Sequence, residues 1–359
     1  KYMTDIYGNP ESPHDIGYEA KKCVDDARSQ ISRYIGCDEE QLIFTSSGSE
    51  SNTLVVMGIA EYLKRKGKTH IITTAVEHKS IINSMKKLES EGFEVTYLPP
   101  EISSRGFVEK FRRAIRPETG FASVMCVNNE TGQIFPIEAI ADVCFEHGIS
   151  LHSDCVQGVD LMPYPKVGID FYSISAHKIG GIKGAACVYA RDKSMLSPII
   201  NGGEQEYGLR GGTLNVPAIA AFAKAYQIYA KQSIGYVDNS RIIPIITETL
   251  EHYSVKYNIN PASRSGAHIV SITFPNVEAD TLISLLNEKE IYVSSGSACN
   301  SNSMSPSATL KAYGYSDKEA RETIRISLTT LEEHSRAQFI EDIRTIAVLA
   351  KALQVGLDY

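Results

Sequence analysis

The chain has 359 residues, 43% hydrophobic and 22% charged, enough to bury one large core and a second, smaller one. Its formal net charge of −7 supplies no general field for nucleic acid, and the basic run Lys64-Arg65-Lys66 is too short to change that. No apolar run approaches membrane-spanning length, no signal peptide opens the chain, and seven irregularly spaced cysteines without a C-x-x-C pair argue against a disulfide framework and a structural zinc site. The expectation is a cytoplasmic protein with no metal, no membrane association and no direct nucleic acid binding. The chain opens on Lys1 rather than Met, so further sequence is expected before it.

Taken in order, Val24, Ala27, Ile31 and Ile35 stand at helical spacing and predict a helix over residues 17–36, with Gly36 as its stop. Residues 42–45 predict a short strand that runs into Ser46-Ser47-Gly48-Ser49-Glu50-Ser51, and residues 52–66 a helix. A small-residue turn opening onto a helix offers backbone N–H groups, hydroxyls and the helix dipole to a phosphate, although by itself the same turn is more often a plain serine cap. Strands at 71–75, 122–127, 149–153, 171–175 and 185–189, with helices at 78–91 and 137–147, give the rhythm of a mostly parallel sheet. Polar residues stand at the strand ends: His78, Asn128-Asn129, Asp154 with Gln157, and His177-Lys178. All are expected to converge on one sheet edge, where open α/β sheets bind ligands.

The stretch Ser173 to Gly184, SISAHKIGGIKG, places a lysine at the carboxyl end of a strand among glycines. A lysine partly withdrawn from water is biased towards the neutral amine, a nucleophile able to add to a carbonyl. A glycine-rich loop from Gly202 to Thr213 follows, then a helix over 216–231. The remainder reads as a helix at 239–257, a strand at 269–274, a helix at 279–289, the polar stretch Ser294 to Ser307 carrying Cys299, a helix from 307, a strand at 323–327 containing Arg325, and a last helix at 332–354. Apart from Met304 that polar stretch has no apolar anchor, which predicts a mobile loop. Residues 11–232 are expected to form a large domain, and 1–10 with 233–359 a smaller α/β domain.

Motifs along nearly the whole chain resemble the pyridoxal-phosphate-dependent cysteine desulfurases of the class V aminotransferase family, of the type that supplies sulfur for iron–sulfur cluster assembly. They are Gly8-Asn9-Pro10, SGSES at Ser47 to Ser51, VEHKS at Val76 to Ser80, VNNETG at Val127 to Gly132, HSDCVQ at His152 to Gln157, SAHKIGGIKG at Ser175 to Gly184, RGGT at Arg210 to Thr213, SSGSAC at Ser294 to Cys299, and IRIS at Ile324 to Ser327. The resemblance implies a fold-type-I α/β enzyme with pyridoxal 5'-phosphate as cofactor.

It also implies roles. Lys178 would hold the cofactor and act as base at the substrate's Cα, while Asp154 would pair with the pyridine nitrogen and Gln157 with the phenolic oxygen. Gly48, Ser49, Ser175 and His177 would bind the phosphate, joined by Thr213 from a neighbouring subunit, which implies a homodimer. Asn129 would support the ring and the substrate, Arg325 would take the substrate carboxylate in a bidentate fork, and His78 would stack on the ring and carry protons to or from the thiol. Cys299 would take sulfur from L-cysteine, leave L-alanine, and hand the persulfide to an acceptor or scaffold protein serving clusters, tRNA thiolation or DNA phosphorothioation. The alternatives are a selenocysteine lyase or cystine C–S lyase on the same scaffold, or a catalytically silent sulfur-assembly scaffold. The chain departs from the family's pattern in three places: the usual opening strand is absent before Lys1, Ile182 stands for a proline, and Leu328-Thr329-Thr330 for Leu-Gly-Arg.

Overall fold

Seven short strands, β1 (Leu42–Thr45), β2 (His70–Thr74), β3 (Glu94–Leu98), β4 (Thr119–Ser123), β5 (Ser150–Asp154), β6 (Phe171–Ser175) and β7 (Ala186–Ala190), form one sheet in the order β1-β7-β6-β5-β4-β2-β3. The computed structural model describes residues 1, 3–161, 168–231, 239–264, 266–295, 306–328 and 333–356, so Cys299, Met304, Thr329 and Thr330 lie outside the described residues. Strands β3, β2, β4, β5 and β6 pair parallel, and β7 runs antiparallel between β6 and β1. Two reversals restore direction, so β1 points the same way as β6. The carboxyl ends of β1, β2, β4, β5 and β6 therefore lie along one edge, which is what gathers the residues that follow them.

Except for β3, every residue of these strands is buried or nearly so, as expected where both faces of a parallel sheet are covered. Helix Asp15–Ile35 buries Ala20, Val24, Ala27, Ile31 and Ile35, and ends on Gly36, whose φ of +75° is the left-handed stop that glycine adopts without strain. Strand β4 begins three residues earlier than predicted. Beyond it Val124 and Cys126 still donate backbone hydrogen bonds to His152 and Asp154 (3.0 and 2.9 Å), so the whole apolar run is buried although only its first part pairs as a strand. Strand β3 and helix Ser104–Ala114 have no sequence-based counterpart: β3 buries only Leu98, and the helix only Phe107 and Phe111.

These elements belong to the first of two compact units, made of Lys1–Leu98, Arg105–Cys126 and Pro136–Ser233. The second comprises Pro99–Ser104, Val127–Phe135 and Ile234–Tyr359. Its sheet contains β8 (Asn258–Ile259), β9 (Ile269–Thr273), β10 (Ser294–Ser295) and β11 (Thr323–Ser327), antiparallel throughout in the order β10-β11-β9-β8. Helices Asn239–His252, Ala279–Asn287 and Glu333–Val355 cover it through Ile246, Leu250, Leu282, Ile343 and Ile346, packed with Ile272 and Ile324 of the sheet.

Residues 1–10 thus cluster with the first unit, not with the smaller one as expected, and 99–104 and 127–135 cluster with the second. For 127–135 the reason is visible in its hydrogen bonds. Ala267 N–H donates to the Gly132 carbonyl (2.8 Å) and Ser263 Oγ to the Thr131 carbonyl (2.5 Å), which pins the turn to β9's approach. Gly132 has φ +76°, and a Cβ there would lie 2.3 Å from the Ile269 carbonyl oxygen, so only glycine fits. Among the described residues no helix is long and apolar enough to cross a membrane.

Candidate active site

At the end of β1 the chain turns straight into helix Gly48–Gly58, four residues earlier than the sequence reading, because Ser47 caps it by accepting from Glu50 N–H (3.2 Å). Gly48 admits no side chain: a Cβ would sit 2.8 Å from Val156 Cγ2 and 3.6 Å from Ser175 Cβ, so the turn runs against the segment after Asp154 and the end of β6. Ser49 is exposed beside it. Glu50 accepts from the Ser46 N–H (2.9 Å) and the Ser46 hydroxyl, and pairs with Arg210 Nε (2.9 Å). Half-burial raises the Glu50 carboxyl, but these donors outweigh it and hold it below the usual carboxylate range. Glu50 thereby ties the serine turn to the loop that ends in Thr213, which is itself exposed.

Strand β6 ends in the short turn Ala176–Ile179, closed by Gly180 at φ +78°. The buried Ser175 hydroxyl meets His177 Nδ1 at 2.8 Å. His177, although exposed overall, is biased towards its neutral form first by the partial withdrawal of its ring from water and then by the charges of Lys178 and Lys183. Both His177 and Lys178 are exposed, where the sequence reading expected the lysine partly withdrawn from water. The turn lifts them past the last buried position of the strand.

Asp154, the last residue of β5, is 6% exposed. Burial raises its carboxyl above the ordinary range, opposed by the Val156 N–H (3.0 Å), the Asn52 amide (2.7 Å) and the nearby charges of His78 and Lys178. His78, Asp154 and Lys178 thus share one electrostatic environment at this edge. Gln157 follows half-buried in the turn after Asp154. His78 caps helix Lys79–Ser90: its Nδ1 accepts from Ser80 N–H (3.2 Å) and lies 2.8 Å from Ser80 Oγ.

In the second unit, Arg325 of β11 donates through Nη1 to the Asn129 carbonyl (2.9 Å) and through Nη2 to Ser294 Oγ (3.3 Å), its register partner on β10. The turn holding Asn129 is built by Asn128, whose Oδ1 accepts from the N–H groups of Glu130 and Thr131 (3.0 and 2.8 Å). Ser307, capping helix Ala308–Ala312, donates to Glu130. Of the predicted residues, His78, Asp154, Lys178, His177, Ser175 and Gly48 stand on the sheet edge of the first unit, Asn129 and Arg325 together in the second, and Cys299 lies outside the described residues.

A model of the family described as aminotransferase class-V matches residues 1–338. A cysteine desulfurase, IscS, of Mannheimia succiniciproducens is 40% identical over 351 residues, which is 93% of this chain and 84% of that one. The chain belongs to the cysteine desulfurases, within the aminotransferase class-V family. Among solved structures it resembles a NifS-like protein (31% identical, TM-score 0.84, 97% of this chain and 93% of that one) and SspA in complex with cysteine (35% identical, TM-score 0.77, 91% and 92%). These matches carry the desulfurase reading over the lyase and silent-scaffold alternatives.

The desulfurase's sheet edge also contains residues to which the sequence assigned no role, although Glu77 and Ser80 stand inside the VEHKS motif. Ser80 and Glu77 also bond to near neighbours, His78 and Thr74, but the bonds of Asn52 to Ser80 and Asp154 and of Glu77 to Met125 N–H join residues distant in sequence, which local spacing does not mark. Glu77 is 5% exposed; its Oε1 accepts from Thr74 Oγ1 and Met125 N–H, both 2.8 Å, while Oε2 is buried without a hydrogen-bond partner. Burial pushes this carboxyl from 4.5 up to about 8. Between those values the folded chain keeps a proton that the unfolded chain releases, so this group's contribution to stability declines as pH rises from about 4.5 to about 8. Glu77→Gln keeps an acceptor for both donors and has no proton to lose. Its melting temperature, followed from about pH 5 to about pH 9, is expected to gain on the wild type across that range. A difference independent of pH would show that Glu77 is not a buried neutral acid.

Proposed function

We propose that this desulfurase converts L-cysteine to L-alanine with pyridoxal 5'-phosphate bound at the first unit's sheet edge, leaving the sulfur as a persulfide on Cys299 for an acceptor protein. The observation that carries the cofactor reading is the donor set at that edge. A side-chain-free Gly48 turn, the Ser175 hydroxyl and His177 suit a phosphate, and the buried Asp154 carboxyl suits a protonated ring nitrogen. When bound, the cofactor supplies an electron sink for negative charge at the substrate's Cα.

The chain's own groups supply the rest. Gly48, Ser49, Ser175 and His177 would hold the phosphate, and Thr213, exposed on its loop, would reach that of a second subunit. Asp154 would pair with the ring nitrogen and Gln157 with the phenolic oxygen. Lys178 would anchor the cofactor, and its Nζ would take the Cα proton. Asn129 and Ser294 orient the Arg325 fork, and a planar fork is what a carboxylate accepts in bidentate form. In the sulfur step the Cys299 thiolate attacks the substrate sulfur: the S–S bond forms, the Cβ–S bond breaks with its electron pair passing to carbon, and that carbon is protonated to the methyl of alanine. Sulfur is oxidised to the persulfide level as carbon is reduced, so no external oxidant is required. That SspA was solved with cysteine bound supports the substrate.

The purified protein is expected to be yellow and dimeric and, given L-cysteine alone, to form alanine and protein-bound persulfide sulfur in equal amounts in its first turnover. Alanine without bound sulfur would reject the persulfide route, and a monomer on sedimentation would reject the shared site.

A further inference from the structure

The hydrogen bonds around His78 have only one consistent assignment of hydrogens. Asn52 Nδ2 lies 2.7 Å from Asp154 Oδ2 and 3.0 Å from Ser80 Oγ, so its two hydrogens go to those two oxygens. The reversed amide would set its oxygen against the Asp154 carboxylate. Asn52 Oδ1 is buried and without a partner, so the orientation is imposed by what Nδ2 holds. Ser80 Oγ, accepting from Asn52, turns its single hydrogen to His78 Nδ1 (2.8 Å), and the Ser80 backbone N–H points at the same nitrogen (3.2 Å). Nδ1 is therefore an acceptor twice over, and in the neutral ring the hydrogen is on Nε2.

The geometry points to Ser80, aimed by Asn52, as a positioning residue that holds His78 in the Nε2–H tautomer, so that His78 meets the reacting sulfur as a hydrogen-bond donor and not as a base. The inference rests on the reading of His78 as a group that contacts substrate. It sharpens that reading, because the nitrogen left for a reactant already carries its hydrogen. To accept a proton the ring must use Nδ1, and that breaks both bonds from Ser80. The relay joins residues 28 and 102 positions from Asn52 in sequence, and it couples the ring to Asp154, the group assigned to the cofactor's nitrogen.

The test uses holoenzyme labelled with 15N-histidine, wild type against Ser80→Ala and Ser80→Thr. In the wild type His78 is expected to show a protonated Nε2 and a hydrogen-bonded, unprotonated Nδ1. Ser80→Ala is expected to move the Nδ1 resonance towards that of a weaker acceptor and lower kcat about tenfold, with the KM for cysteine within about twofold and cofactor content unchanged. Ser80→Thr, which keeps the hydroxyl, should restore both signals. A proton on Nδ1 in the wild type, or an unchanged Nδ1 resonance with unchanged kcat in Ser80→Ala, overturns the proposal. The resonances decide the tautomer even if the wild type makes no alanine, which would instead count against the proposed reaction.

Discussion

Cys299→Ser is expected to fold, stay yellow and change its absorption spectrum on addition of L-cysteine, yet to lose alanine formation by on the order of a thousandfold or more. The structure strengthens this expectation by what it says of the other cysteines. Cys23, Cys126, Cys144, Cys155 and Cys187 are buried and Cys37 is half-buried. Burial pushes Cys37 up to about 11 and Cys144, Cys155 and Cys187 upward as well, away from the thiolate that attack on sulfur requires. None of these six is placed to act. Cys155 sits next to Asp154 in sequence, but its thiol is directed to the Ser153 carbonyl at 3.3 Å and is fully buried. A serine alkoxide is much harder to form than a thiolate and cannot store sulfur as a persulfide. The check is alanine release together with mapping of protein-bound sulfane sulfur; near-normal alanine with persulfide on Cys155 would transfer the role.

Lys178→Ala is expected to lose the covalently held cofactor and at least a thousandfold in kcat, because one side chain both anchors the cofactor and moves the Cα proton. Lys183 is the competing candidate, since it is also exposed and lies in the same glycine-rich stretch. Two observations separate them. Lys178 sits on the turn that directly ends β6 and its charge acts on the Asp154 carboxyl, whereas Lys183 lies beyond that turn, past Gly180 and Gly181. Borohydride reduction of the wild-type holoenzyme followed by peptide mapping should label Lys178. Label on Lys183 would move the anchor, and retained activity in Lys178→Ala would remove the lysine from the mechanism.

The sequence alone determined the elements whose apolar spacing is local and strong. Helix Ile137–His147 and strands Leu42–Thr45, Phe171–Ser175 and Thr323–Ser327 have the predicted bounds, because periodicity and flanking turn residues are properties of neighbouring positions. It also determined the family, because the motifs are short, ordered and dense enough to need no coordinates. Edge elements escaped it: Glu94–Leu98 buries a single residue, and so has no alternation to read. Tertiary structure decided which unit the turn Val127–Phe135 joins, through bonds from Ser263 and Ala267 more than a hundred positions away. It decided that Lys178 stands exposed at its turn, and that Glu50 holds Arg210. It also decided the hydrogen positions on His78, since these depend on Asn52 and Asp154: the parallel pairing of β2, β4 and β5 sets His78 and Asp154 on one edge, and β1, joined through the antiparallel β7, brings the helix of Asn52 there. Patterns between neighbours are written along the chain, whereas a side chain's hydrogen-bond partner and burial depend on what the completed sheet sets beside it.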